Sequence, residues 1–264
     1  MKTLPKTAIP YATHHWSFQV GCTHSGSPGC DNCWARTLHD QRHRAYLNGA
    51  DLPAMYAKPF DEIQICKDRM EPRLPKEPSI IFCLPQSDMF HERGMLCAFG
   101  TVFDAAKGFG APHTWLVLTK RPQWLPKGLR AQANLWVGVS VSTQADADKH
   151  IPTLIRKWPG PKWVSIEPML GPIVIEDWLP ELDWVIVGGE SGRSARPMEP
   201  CWAAFVCDDC LLAHVPYYFK QRSSNPGEGR VKLWDRGLYS FEQAKEFPTS
   251  FPQAAVDKLG GTQL

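Results

Sequence analysis

The chain has 264 residues, 43% hydrophobic and 21% charged, a balance that excludes a disordered chain or a coiled coil and suffices for a sizeable core without staples. Its 29 basic and 27 acidic residues leave a net charge of +2, which excludes a grossly basic nucleic-acid binder and leaves room for a local basic groove. No apolar run reaches the roughly 18 residues of a membrane helix, and Met1 to His15 is polar, proline-broken and without an apolar signal core. The expectation is a cytoplasmic protein with no membrane partner.

In chain order, a glycine- and cysteine-rich stretch comes first, and a helix is expected after Cys33, through Arg36 to Leu47. Six short apolar runs then read as buried parallel strands: Ser79–Leu84, Thr114–Leu118, Leu135–Val139, Lys162–Ile166, Asp183–Val187 and Pro216–Phe219. Segments that fit helices lie at 91–109, 122–131, 143–158, 173–181 and 199–213. The 24 prolines fall mostly between these runs, as loop punctuation. Such alternation predicts βα units and an α/β fold with a parallel sheet covered by helices. Six repeats favour a barrel or partial barrel, with a doubly wound sheet as the alternative. After Arg222 the composition changes: Ser223 to Gly229 reads as a loop, and Arg230 to Leu238 as a hairpin or lid.

Each expected strand ends in polar residues. Ser87 and Asp88 follow the first, Lys120 and Arg121 the second, Ser140 and Ser142 the third. Glu167 follows the fourth, Gly188-Gly189-Glu190 the fifth, and Lys220 and Gln221 the sixth. In parallel α/β folds these ends share the face where active sites form. Helix capping accounts equally well for Ser142 or Thr143. It accounts less well for a glutamate, a Lys-Arg pair and a Gly-Gly-Glu at successive ends.

Nine cysteines, an odd number without secretory context, argue against a disulfide framework. Cys22, Cys30 and Cys33 are spaced C-x7-C-x2-C in a segment rich in Gly and Pro. Three thiolates suit an iron–sulfur cluster that keeps one iron open. Two other readings stand beside this one: structural zinc with His24 as fourth ligand, and unligated buried thiols. Cys201, Cys207 and Cys210, which include a CxxC, sit in an expected helix with Trp202 and Phe205, which reads as core packing, with a second cluster or metal site as the alternative; Cys66, Cys83 and Cys97 are scattered thiols.

With these segments in view, the sequence resembles a phage-associated radical S-adenosylmethionine (SAM) family that carries a long-gap cysteine motif. The resemblance spans roughly residues 14–246. It rests on Gly21-Cys22 to Trp34-Ala35, Ser87–Phe90, Leu116–Pro122, Val137–Val141, Val164–Pro172, Asp183–Gly192 and Phe219–Gln221. The first cysteine gap of seven exceeds the three usual in the wider superfamily, and Gly188-Gly189-Glu190 follows a late strand rather than an early one. Trp34 stands where family members commonly have Tyr.

The resemblance implies a partial (β/α)6 TIM-like barrel of the radical SAM type over residues 1–222, with a C-terminal extension at 223–264 as a lid. It implies that Cys22, Cys30 and Cys33 hold a [4Fe–4S] cluster whose open iron chelates SAM, and that one electron releases a 5′-deoxyadenosyl radical. For cofactor contacts it implies Ser87 and Asp88 at SAM's ammonium, and Lys120 or Arg121 at its carboxylate. Ser140 and Ser142 would face the ribose, and Trp34 the cluster or adenine. Glu167, Glu190, Lys220 and Gln221 would hold an amino-acid-bearing substrate. Members linked to phage thymidine hypermodification imply an isomerase on DNA that converts an N-linked glycyl adduct to a C-linked one. An external electron donor such as flavodoxin and a host-cytoplasmic location go with that reading. Arg36, Arg42, His43 and Arg44, with Lys120, Arg121, Arg193 and Arg196, would form a basic rim for phosphates, although a solvated helix face explains Arg42 to Arg44 equally well. The alternatives are a radical pyrimidine photoproduct lyase, with Cys83 or Cys97 as hydrogen donor, and a non-catalytic zinc-stabilised nucleic-acid-binding module.

Overall fold

The computed structural model describes residues 3–92, 95–108, 110–224 and 243–264, with 95–97 described by backbone alone. In order, the strands are β1 His14–Trp16, β2 Gln19–Val20, β3 Gln64–Ile65, β4 Ile80–Cys83, β5 Thr114–Thr119, β6 Leu135–Val141, β7 Lys162–Ile166, β8 Trp184–Gly188, β9 Tyr217–Gln221, β10 Glu246–Phe247 and β11 Thr262–Gln263. The α-helices are α1 Trp34–Leu47, α2 Met95–Ala106, α3 Gln144–Lys157, α4 Pro200–Leu212 and α5 Gln253–Lys258.

Seven strands form one parallel sheet in the order β1-β4-β5-β6-β7-β8-β9. Each of these strands lies beside its predecessor. Right-handed crossovers then put the helices on one face, and the sheet curls away from them into a half-barrel.

Alternation along the strands makes two cores. Val117, Val137, Val164 and Val185 face outward and pack with Ile151 and Leu154 of α3. Their neighbours Leu116, Trp136, Trp163 and Trp184 face inward with Tyr11, Phe82 and Tyr218. Gly138 makes this possible, because a Cβ there would lie 2.5 Å from the Trp163 indole. Residues 243–264 close the interior near the strand starts. Phe251 sets its ring 4.8 Å from Trp136 and 5.2 Å from Trp184, and the Trp184 indole donates to Glu246 O at 2.9 Å. Each such buried large side chain contributes about 1.5–3 kcal/mol. The barrel floor is thus aromatic, and the inward polar side chains at the strand ends stand at the opposite end.

All six expected strands are present. β1 is a seventh, three residues long at the sheet edge, too short to carry a periodic signal. Two expected helices are corrected. In 122–131 only Pro122–Trp124 winds, as a 3-10 turn, since Pro126 and Gly128 follow at once. In 173–181 the 3-10 segment Glu176–Glu181 stands instead, with Pro180 inside it. The hairpin or lid expected over Arg230–Leu238 lies outside the described residues. No helix among the described residues is long and apolar enough to cross a membrane.

Candidate active site at the mouth of the half-barrel

The cysteine loop leaves β2 and crosses the C-terminal ends of the strands. Gly21 has φ +97°, and a Cβ there would lie 2.6 Å from Glu62 O, so only glycine fits this entry. Its amide donates to Gln86 O at 3.1 Å, and the Cys22 amide to Phe60 O at 2.9 Å. Ser87 Oγ donates to Gly21 O at 2.6 Å and accepts from Gln19 Nε2 at 2.9 Å. Further on, Pro28–Cys30 makes a 3-10 turn capped by Ser27, whose hydroxyl donates to Asp146 Oδ2 at 2.7 Å. Gly29 sits on the end of β6: a Cβ there would stand 2.1 Å from Ser142 Oγ. Ser142 Oγ is fully buried and makes no hydrogen bond among the described residues. At the far side Asn32 Nδ2 donates to Glu190 Oε2 at 3.1 Å. Cys33 precedes α1, and its carbonyl accepts from the Thr37 amide at 3.0 Å.

Two buried charges anchor this loop. Asp88 Oδ1 accepts from Thr119 Oγ1 at 2.6 Å and the Phe90 amide at 3.0 Å; Oδ2 accepts from the Lys120 amide at 3.0 Å and Arg121 Nη1 at 3.3 Å. Arg121 Nη2 donates to Thr23 O at 2.8 Å, and Nη1 lies 3.5 Å from Cys22 Sγ. Burial works against the Arg121 charge, but Asp88 and Cys22 outweigh it and hold its pKa above the ordinary value. Burial, reinforced by Asp88, pushes the Cys22 thiol up to about 12, with Arg121 pulling the other way. Across the mouth, Arg196 donates to Glu190 through its amide at 2.8 Å, Nε at 2.9 Å and Nη2 at 2.5 Å, and reaches Pro28 O at 3.0 Å. Burial works to raise the Glu190 pKa, but the bonds from Arg196 and Asn32 hold the carboxyl below its ordinary range.

Beneath the loop, the inward positions of β5, β6, β7 and β9 end in a polar layer. Lys120 Nζ donates to Ser140 Oγ, which donates to Glu167 O at 3.2 Å. Glu167 Oε2 accepts from Ser165 Oγ at 2.9 Å and from the Tyr11 hydroxyl at 3.3 Å. Glu167 Oε1 forms an ion pair with Lys220 Nζ at 2.9 Å without an aligned hydrogen bond. Burial first, then Glu167, raises the Tyr11 phenol well above its usual pKa. Gly188 leaves room for this pair, because a Cβ there would lie 2.8 Å from Glu167 Oε1. Gly189 is hemmed in by the Ser223 amide, 2.2 Å from where its Cβ would stand. The two glycines of Gly188-Gly189-Glu190 therefore provide space, and the glutamate clamps the loop.

The residues that could hold a metal group are Cys22, Cys30 and Cys33. Among the described residues no three His, Cys, Asp or Glu side chains converge on a point fit for one metal ion. His24 is turned away from the thiols: Nε2 is 3.0 Å from Asp31 Oδ1, and Nδ1 accepts from the Gly26 amide at 3.0 Å. A single zinc thus lacks its fourth donor here. A cubane takes each thiolate on a different iron, so its ligand sulfurs stand further apart than those of one ion. A charge on Cys30 adds to the upward push on the Cys22 thiol.

The expected site residues divide into two groups. Ser87, Asp88, Arg121, Ser142 and Glu190 meet the cysteine loop; Lys120, Ser140, Glu167 and Lys220 form the layer below it. Trp34 is half exposed at the start of α1. Cys83 is buried in the helix-side core, away from the barrel interior, and the side chain of Cys97 lies outside the described residues. The expected phosphate rim is corrected at several positions. Arg36 pairs with Asp61 and lies 5.1 Å from the Phe60 ring centre; Arg42 bonds the Tyr56 hydroxyl, and His43 Nδ1 is 2.7 Å from Tyr56 O. These side chains fasten residues 54–62 to α1, and Arg196 is spent on the clamp. Tyr11, Ser165, Asn32, Asp146 and Gly29 were not singled out from sequence. Of these, only Ser165 had a signal, two positions before Glu167 and so on the same face of β7.

Residues 6–241 match the family described as "Protein of unknown function (DUF5131)". No curated protein matches. Among solved structures, spore photoproduct lyase complexed with dinucleoside spore photoproduct is similar at 12% identity and a TM-score of 0.46, over 83% of this chain and 78% of that one. A cysteine-to-alanine variant of that lyase with the same dinucleoside is similar at 11% identity, a TM-score of 0.46 and the same coverage.

Proposed function

The chain belongs to the DUF5131 family, and from that premise and the geometry of the mouth we propose that it is a radical SAM enzyme. Its substrate in this reading is an amino-acid-modified thymidine in phage DNA, and it acts as an isomerase that converts an N-linked glycyl adduct to a C-linked one. The observation that carries the reading is the seating of a C-x7-C-x2-C loop directly over an inward polar layer at the strand ends. Cys22, Cys30 and Cys33 would hold a [4Fe–4S] cluster, which when bound and reduced supplies SAM with the electron that yields a 5′-deoxyadenosyl radical.

The remaining work belongs to side chains. Lys120, on Ser140, is the inward cation for SAM's carboxylate, and Trp34 offers its ring face to adenine. Glu167 and Lys220 are opposite charges already paired, so a substrate's ammonium and carboxylate exchange partners with them and no buried charge is left alone. The aromatic floor of Trp136, Trp163 and Trp184 excludes water from below. A base in duplex DNA must leave the stack to reach this layer. Electrons come from an external donor such as flavodoxin, in a host cytoplasm. Of the two thiols that the photoproduct-lyase alternative offers as hydrogen donor, Cys83 faces the helices and the side chain of Cys97 lies outside the described residues.

The test is incubation of the reconstituted protein with DNA carrying glycyl-modified thymidine, SAM and reductant, followed by nucleoside chromatography with mass detection. The expected result is a new peak of unchanged mass. SAM cleavage with no change in any modified nucleoside would overturn the substrate assignment.

A further inference from the structure

We infer that Arg121 is a positioning residue that orients Cys22 and raises the reduction potential of the cluster this thiolate would hold, an inference that rests on the cluster reading above. Its guanidinium is fixed on several sides. Asp88 Oδ2 lies 3.3 Å from Nη1, Thr23 O and Oγ1 lie 2.8 and 3.1 Å from Nη2, and Glu92 Oε2 lies 3.5 Å from Nε. So held, and only 4% exposed, it sets Nη1 3.5 Å from Cys22 Sγ. An arginine with these partners is not available to swing onto SAM's carboxylate, the role the sequence resemblance implies for Lys120 or Arg121.

A fixed N–H donor on a ligand sulfur has two effects. It sets the direction of the sulfur lone pairs, as outer partners do at metal sites generally. It also stabilises the more negative, reduced state of a cluster, because hydrogen bonds to sulfur and net charge both set the potential. Asp88 opposes the second effect, since its carboxylate shares Nη1 of the same guanidinium with Cys22 Sγ. Removing the two charges singly must therefore shift the potential in opposite directions, which a role confined to loop folding does not require.

The experiment uses the full chain, reconstituted anaerobically with iron and sulfide, and measures the cluster midpoint by dye-mediated titration read by electron paramagnetic resonance. Arg121→Gln is expected to lower the midpoint by about 59 mV, the one-electron equivalent of a tenfold change. Asp88→Asn is expected to raise it. Arg121→Lys, which keeps the charge but not the forked geometry, is expected to fall between parent and Arg121→Gln, and it carries the test if the other two fail to fold. A parental midpoint in Arg121→Gln or Arg121→Lys overturns the inference, as do shifts of one sign in Arg121→Gln and Asp88→Asn. Loss of the cluster from a folded Arg121→Lys also overturns it. A parent chain that assembles no cluster refutes the proposed function instead, so the two failures are distinguishable.

Discussion

Replacing Gly29 with alanine tests whether the cysteine loop is seated on the end of β6. The added Cβ would meet Ser142 Oγ at 2.1 Å and Ser142 Cβ at 3.1 Å. Turning the hydroxyl away relieves the first contact but not the second, which stays inside the ~3.5–4.0 Å optimum for carbon pairs. Ser142 is fully buried, so the strain falls on packed surroundings. Overpacking of this kind costs about 1–3 kcal/mol. Ser142→Gly removes both opposing atoms and by itself costs about 0.5–1 kcal/mol in backbone entropy. The double variant should regain most of the loss, with a coupling of about 1–2 kcal/mol across the cycle. Urea unfolding followed by tryptophan fluorescence reads all four proteins, and iron loading should fall and recover in parallel. Additivity of the two substitutions within ~0.5 kcal/mol would refute the seating.

Other consequences follow from the same contacts. The Glu190 carboxyl is held below its ordinary value of 4.5 in the fold, so its contribution to stability is present above that value and is lost as pH falls through the depressed one. Glu190→Gln should flatten the acid limb of the unfolding profile there, and an unchanged limb would count against the clamp. His24→Ala should leave iron content intact while Cys30→Ala abolishes it; equal losses would revive a zinc-type site that includes the histidine. Lys220→Met leaves Glu167 without its ion-pair partner and should lower kcat/KM on the modified nucleoside at least about tenfold, or ~1.4 kcal/mol, whereas Lys220→Arg retains part of it. Unchanged kinetics in Lys220→Met would remove this pair from substrate binding.

The parallel sheet was legible because buried strands such as Leu135–Val141 are continuous apolar runs, and a run of that kind between helices has few other readings. The polar strand ends were legible for the same reason: topology alone brings them to one face. The division of labour among them was not. Asp88, Arg121 and Glu190 read as ligand contacts from position, yet their partners are Thr23, Thr119, Asn32 and Arg196, up to 158 residues away in the chain. Nothing local marks such pairings. Tyr11 was hidden likewise, since it precedes the first strand and reaches Glu167 only because the sheet curls over it. Gly29 was hidden in the same way, because only the fold brings Ser142 Oγ to 2.1 Å from where its Cβ would stand.

The proposed chemistry depends on three thiolates, Cys22, Cys30 and Cys33, holding an iron–sulfur cluster with one iron open to SAM. It is tested most directly by anaerobic reconstitution, metal and sulfide analysis, and reduction in the presence of SAM. The expected result is about four irons and as many sulfides per chain, with release of methionine and 5′-deoxyadenosine that depends on Cys22, Cys30 and Cys33. A colourless protein with one tightly bound zinc and no SAM cleavage would contradict it.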